Sequence, residues 1–231
     1  MVLTPKGKNK TVNVMFVTAH PDDETMFFAP TILALSKIPN VSIFLVCFST
    51  GNAMGMGNVR RKELTRAVAK FGIPPENLIM IDDPAFPDDN KQAWDPVLMS
   101  KTLEAIVLAS KTDIVFTFDK QGVSGHPNHI SLYIGIKFMV QTCQSFKFHT
   151  VQLYTLDSIS LLRKYLLFFD MIFSYGETFR NSKSILFVSD LKQYRQACEI
   201  MDLHASQMVW FRKLYIIFSR YMYINSFQRV K

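Results

Sequence analysis

Two rhythms of apolar residues alternate along this chain. Val12 to Ala19 (VNVMFVTA) is a short, nearly unbroken apolar run that stops at His20-Pro21, and it reads as a buried strand. Thr25 to Lys37 then reads as a helix and Val41 to Ser49 as a second strand. Gly51 to Gly57 is a glycine- and methionine-rich loop. Asn58 to Phe71 has helical periodicity and stops at Gly72. Asn77 to Ile81 is a third strand, Asp82 to Trp94 a proline- and aspartate-rich loop, and Asp95 to Ser110 a helix. Asp113 to Phe118 is a fourth strand, Pro127 to Thr142 a helix and Thr150 to Thr155 a fifth strand.

Strands alternating with helices in this way predict an α/β chain. Its sheet is Rossmann-like, doubly wound and mostly parallel, with helices on both faces. Such sheets bind ligands at the carboxyl ends of their strands, so the loops after strands one and four fall on the same edge. No repeat, low-complexity tract or linker interrupts the pattern. One domain over residues 1–231 is expected, with 1–11 as a polar tail.

Composition narrows this picture modestly. The chain has 231 residues, 48% of them hydrophobic, enough for one sizeable core. Lys and Arg outnumber Asp and Glu by 26 to 19, giving +7, a balance that suits anionic partners such as acidic lipid or a phosphorylated substrate. No finger spacing or RNP-like run points to nucleic acid. Cys47, Cys143 and Cys198 are odd in number and far apart, which predicts free thiols in a reducing compartment. The opening MVLTPKGKNK is polar and basic, with no signal peptide visible. Ile159 to Tyr175 is the most apolar stretch, but Arg163, Lys164 and Asp170 interrupt it. It reads as buried or lying on a membrane.

Two constellations carry chemistry. The first is Ala19-His20-Pro21-Asp22-Asp23-Glu24, at the end of strand one, with one imidazole and three carboxylates in five residues. The second is Gly122-Val-Ser-Gly125-His126-Pro127-Asn128-His129, after strand four, with two histidines three apart at a helix start. Each alone reads equally as a solvated turn, with Asp22 or Asp23 as a helix cap. Jointly they offer His20, Asp23 and His129, the two imidazoles and one carboxylate that suit a catalytic zinc, or another divalent first-row metal. Asp22 and His126 remain, and they are the residue types wanted for a general base and a general acid. The pairing requires strands one and four to be neighbours.

These motifs resemble those of the PIG-L/LmbE-like de-N-acetylase family, which includes the N-acetylglucosaminyl-phosphatidylinositol deacetylase of GPI-anchor synthesis. The likeness rests on AHPDDE at Ala19–Glu24, on Gly125–His129, and on Gly55-x-Gly57-x-x-Arg60-x-x-Glu63-Leu64. The stretch His204-x-Ser206-Gln207-x-x-Trp210-Phe211-Arg212 resembles the eukaryotic enzyme in particular. The resemblance implies an LmbE-like fold, with His20, Asp23 and His129 as zinc ligands, Asp22 as general base and His126 as oxyanion stabiliser or acid. Arg60 matches a substrate-binding arginine. Beside the resemblance, Glu63 and Asp119 are candidates on the substrate side: Glu63 reads as a substrate contact or a surface residue, and Asp119 as a support to a histidine or as a helix or turn cap.

The implied reaction is removal of acetyl from N-acetylglucosaminyl-phosphatidylinositol, at the cytoplasmic face of the endoplasmic reticulum membrane. Two alternatives are a deacetylase of a soluble N-acetylglucosamine conjugate and an inactive glycolipid-binding subunit. Residues 159–175 and 204–227, with their mix of aromatic and basic side chains, are candidate membrane-surface segments. Met54 and Met56 are candidates for an adaptable rim near an acyl chain. His204 reads either as a site residue or as a packed histidine, and His149 as structural.

Overall fold

The structure, a computed structural model, describes residues 11–89, 91–142, 151–165, 169–180 and 183–230. Cys143, His149 and residues 1–10 of the polar tail lie outside the described residues.

β1 (Val12–Thr18) is buried from Val14 onward, as expected of a strand covered on both faces. It is an inner strand, third in a seven-stranded sheet of order β3-β2-β1-β4-β5-β7-β6. β2 (Val41–Cys47) and β4 (Ile114–Phe118) flank β1, both parallel to it. β3 (Leu78–Met80) continues on the β2 side and β5 (Gln152–Leu156) on the β4 side, again parallel. The order reverses between β1 and β4, which is the switch point where a crevice opens above the strand ends.

Helices α1 (Asp23–Leu35), α2 (Gly57–Lys70), α3 (Pro96–Ala109) and α5 (Pro127–Thr142) follow the pattern of the sequence closely. A one-turn helix, α4 (Gly122–Gly125), precedes α5. Right-handed crossovers in a sheet that grows first one way and then the other put α1 and α2 on one face and α3 and α5 on the other. The contacts agree, since α3 packs on α5 while α1 and α2 pack on α8 (Leu191–Met201). α1 is apolar almost all round and buried along nearly its whole length, as a core helix must be. Phe16, Phe28, Phe116, Phe118 and Phe227 fill the space between it and the sheet.

The last third of the chain departs from the expected pattern. β6 (Ser184–Val188) and β7 (Ile224–Val230) complete the sheet in antiparallel fashion, and β7 sits between β5 and β6. The candidate membrane segment 204–227 is therefore corrected in part. Ile224 and Phe227 are buried in the sheet, as are Tyr221 and Met222 beside it. Only α9 (Trp210–Phe218) presents a row of exposed apolar residues, namely Trp210, Phe211, Leu214, Ile217 and Phe218. Residues 159–175 divide likewise: Leu161 and Leu162 on the short α6 (Leu161–Lys164) are exposed. On α7 (Asp170–Arg180) Ile172 and Tyr175 are exposed, while Asp170 and Ser174 are buried. No helix among the described residues is long and apolar enough to cross a membrane.

Candidate active site

The two loops meet as the strand order requires. At the end of β1 the chain turns sharply at Asp22, whose φ of 104° is left-handed, an uncommon conformation for a residue with a side chain. Its amide donates to Glu24 Oε2 at 3.0 Å and its carbonyl accepts from Thr25 and Met26, so the turn is tied down on both sides. Adjacent carboxylates then point to different partners. Asp23 accepts from the amides of Ala19 (3.0 Å) and His20 (2.9 Å), and its Oδ1 lies 3.2 Å from His129 Nε2.

Hydrogen bonds around the histidines decide which ring nitrogen carries the proton. His129 Nδ1 donates to Gly122 O (3.1 Å), which leaves Nε2 as a lone pair facing Asp23. A side chain at residue 122 would bring its Cβ within 2.9 Å of His129 Cβ, and the backbone there is left-handed, so glycine is needed. Phe118 stacks on the imidazole at 3.9 Å and fixes its plane. His20 Nε2 lies 3.1 Å from both Asn128 Oδ1 and Asp88 Oδ1; both are acceptors, so this nitrogen carries the proton. Its Nδ1 is thereby left toward Asp23 Oδ2, 3.7 Å away. His126 Nδ1 accepts from the Asn128 amide (3.2 Å), so neutral His126 presents Nε2–H as a donor.

Donor atoms of His20, Asp23 and His129 all lie within 4.8 Å of one another, and all three residues are buried. His129 Nε2 is buried and has no hydrogen-bond partner. Two lone-pair nitrogens and a carboxylate converging on an unsatisfied point fit a divalent metal, with backbone, carboxylate and amide groups holding the outward nitrogens. A second group, His20, Asp88 and His126, is within the same distance.

Electrostatics supports that fit. Burial disfavours ionised Asp23, yet positive charge placed on His129 and His20, with the His20 amide, outweighs it and holds its carboxyl well below the usual range. Burial also opposes a charge on His20, but Asp88, Asp23 and Asp22 raise its pKa. These carboxylates favour positive charge at this point. Burial, then the neighbouring His20 and His129, push His126 down to about 4. Burial pushes Asp22 up, against Arg212 and Arg60.

Asp22 Oδ2 is 2.9 Å from Arg212 Nη1 and 3.6 Å from Arg60 Nη2. Arg60, buried, also donates to Pro21 O (2.6 Å) and Gly51 O (3.0 Å) and pairs with Asp88 (3.4 Å). A cavity of about 470 Å³ joins these groups, and Lys164, Tyr165, Phe211 and Tyr215 also line it. An acidic cavity of about 860 Å³, lined by Asp82, Asp83, Asp88 and Asp89, adjoins it and shares Asp88 and His126. Met54 and Met56 line a smaller neighbouring cavity with Val209 and Phe211.

The structure therefore brings together His20, Asp22, Asp23, Arg60, His126 and His129. It does not bring Glu63 or Asp119 to the pocket, which corrects their expected substrate-side role. Both Glu63 oxygens are taken by Ser206, from its amide (2.8 Å) and its hydroxyl (2.7 Å). Asp119 is a turn cap, accepting from the amides of Gln121, Gly122 and Ser158 and from the Ser158 hydroxyl. His204 is a packed histidine, fully buried with Nε2 2.7 Å from Glu24 Oε1. Asp88 is absent from the residues expected at the site, and Asn128 and Arg212 stand in the quoted motifs without a role of their own. Asp88 lies in the aspartate-rich loop that follows β3, on the same rim as the two motifs, and that position was its available signal. Nothing local marks the contact of Arg212 with Asp22.

A mostly parallel α/β sheet with buried imidazole and carboxylate donors gathered above its switch point defines a metal-type hydrolytic site. The family described as PIG-L, GlcNAc-PI de-N-acetylase, matches residues 15–139. The chain is 43% identical over 222 residues to the N-acetylglucosaminyl-phosphatidylinositol de-N-acetylase of Bos taurus, covering 96% of this chain and 84% of the relative. It is 36% identical over 219 residues to a probable enzyme of the same name from Schizosaccharomyces pombe, covering 94% and 86%. Among solved structures it resembles the N,N'-diacetylchitobiose deacetylase of Pyrococcus horikoshii, with a TM-score of 0.64 at 16% identity over 94% of this chain and 83% of that one. The chain belongs to the PIG-L family of de-N-acetylases.

Proposed function

We propose that this protein hydrolyses the acetamide of N-acetylglucosaminyl-phosphatidylinositol, giving acetate and glucosaminyl-phosphatidylinositol, an early step of GPI-anchor biosynthesis. The observation that carries the reading is the convergence of His20 Nδ1, His129 Nε2 and the Asp23 carboxylate beside Asp22 in one cavity. Those three residues would hold a divalent cation, zinc by their donor types. When bound, it supplies Lewis-acid polarisation of the acetyl carbonyl and activation of water.

The remaining steps belong to this chain's own groups. Asp22 Oδ1 has no hydrogen-bond partner among the described residues, while Oδ2 is held by Arg212. Asp22 takes the proton of the attacking water as oxygen joins the carbonyl carbon, and its burial favours keeping that proton. His126, neutral at physiological pH, donates from Nε2 to the developing oxyanion rather than giving up a proton. Asp22 then returns the proton to the departing sugar nitrogen, and acetate and amine separate.

Exposed Leu161, Leu162, Trp210 and Phe211 stand beside the cavity, next to Arg163, Lys164 and Arg212. This mix of apolar and basic side chains supports action at a membrane surface; the cytoplasmic face of the endoplasmic reticulum is the location we propose for it. The test is acetate release from the lipid-linked substrate with and without a chelator. Release that stops on chelation and returns with zinc is the expected result; release that chelation leaves unchanged removes the metal from the mechanism. Turnover only of soluble N-acetylglucosamine conjugates rejects the lipid substrate.

A further inference from the structure

Three cations line the cavity that holds the reacting groups, namely Arg60, Arg212 and Lys164. Arg60 pairs with Asp88 and Asp22, and Arg212 with Asp22. Lys164 alone has no carboxylate partner among the described residues. Its ammonium instead sits over two aromatic faces, 5.6 Å from the Tyr215 ring centre and 6.0 Å from that of Tyr165. Burial pushes its pKa down from the ordinary lysine value, with no nearby acid to offset it. A half-buried ammonium without an anion is an unfavourable arrangement that a bound anion relieves.

We propose that Lys164 is the cationic centre of a subsite for a phosphodiester, the single anionic group of the glycolipid named above; this inference rests on that reading. Four features argue for this ligand. The sugar and inositol of that glycolipid are neutral, so one positive charge meets one negative charge. Tyr165 and Tyr215 supply apolar walls and leave the ammonium's hydrogens for oxygen acceptors. Leu161 and Leu162 occupy the same turn of α6 as Lys164 and are 72% and 77% exposed, so apolar surface begins where a phosphodiester would give way to its acyl chains. The same cavity holds Asp22, Asp23 and the three histidines, where the acetamide must lie. The cavity thus combines polar groups for the acetamide with a cation for the phosphodiester.

The experiment compares kcat/KM for acetate release from N-acetylglucosaminyl-phosphatidylinositol, held in neutral detergent micelles, and from soluble N-acetylglucosaminyl-inositol added to the same micelles, which lacks the phosphodiester together with its diacylglycerol. A variant that acts through the phosphodiester also lowers turnover of the deacylated N-acetylglucosaminyl-glycerophosphoinositol. The quantity read is the ratio of the two values, which does not depend on the fraction of folded enzyme. Lys164→Gln and Lys164→Met, the latter keeping the apolar stem, should each shrink the ratio about tenfold, through KM. Lys164→Arg should restore most of it. An unchanged ratio in both charge-free variants overturns the subsite. So does a change seen only when phosphatidylserine or inorganic phosphate is added, since the lysine would then respond to bulk anions and not to the substrate's own phosphodiester. Failure of the wild type on both substrates overturns the proposed function itself, an outcome distinct from normal turnover with an unshifted ratio.

Discussion

Two of the buried charge clusters among the described residues are built on opposite rules. Around Asp170 the carboxylate is answered twice over, by two guanidinium groups, although Arg220 Nε and Nη1 make no hydrogen bond of good geometry. Arg163 Nε is 2.6 Å and Arg220 Nε 2.9 Å from its two oxygens, and Ser174 donates to Asp170 (2.7 Å) while accepting from Arg220 (2.8 Å). Around His20, Asp22, Asp23 and His129 the sum is incomplete. Acids crowd one another, His126 is pushed down to about 4, and His129 Nε2 faces a carboxylate with no hydrogen to share. A closed cluster is architecture, whereas an open one waits for a cation and a substrate. The difference matters because both are deeply buried and charged, and burial alone does not tell them apart.

Substitutions can break this contrast, and the largest effect is expected at the open cluster. Asp22→Asn should retain metal and fold but lose on the order of 10³-fold or more in kcat, as removal of a general base does. Metal content by elemental analysis and single-turnover acetate release on one sample check it; near-normal turnover rejects the base assignment. The closed cluster should show the opposite signature. Asp170→Ala leaves the buried Arg220 and the part-exposed Arg163 without their acid and should cost about 3 kcal/mol of stability. Chemical denaturation reads that loss, and a full-strength midpoint would mean the cluster is not structural.

A smaller change is expected at His126. Its removal should lower kcat by about 100-fold, the usual size for one oxyanion donor, with a lesser effect on metal content. Equal losses would reassign it as a ligand of the His20, Asp88 and His126 group. The smallest effect concerns Asp157, which borders the closed cluster and is pushed up to about 6, mainly by burial. A carboxyl whose folded pKa exceeds its unfolded value binds its proton more tightly in the fold. Stability from this group is therefore present below about pH 4 and lost as pH rises through about 6. Asp157→Asn should stabilise the protein by about 2 kcal/mol at pH 7.5 and by little at pH 4, read from melting curves across pH.

Legibility in the sequence follows the same division between local and distant contacts. β1, β2, β4 and the helices between them carry their own signals, because a strand buried on both faces is a continuous apolar run and its helix has a clear period. Adjacency of β1 and β4 then followed from the expected topology, and with it the meeting of His20 and His129. β6 and β7 did not stand out. β7 is INSFQRV, a strand with polar alternation preceded by aromatics, and its pairing partners β5 and β6 lie far away in sequence. Arg212 and Asp22 are 190 positions apart. Glu63 shows the converse: its place in a motif suggested substrate contact, but its oxygens serve Ser206 and anchor the segment that leads to Arg212.

The wedge position of β7 has a consequence for how the protein comes into being. β6 leaves the ribosome well before β7, yet it joins the sheet only through β7. Until those late residues emerge, β5 must wait as a bare edge and β6 must remain unattached, a state in which unpaired backbone invites other chains. Nascent protein shortened before Ile224 would hold both motif loops and still lack a finished sheet. Cellular quality control would meet it as an aggregation-prone fragment.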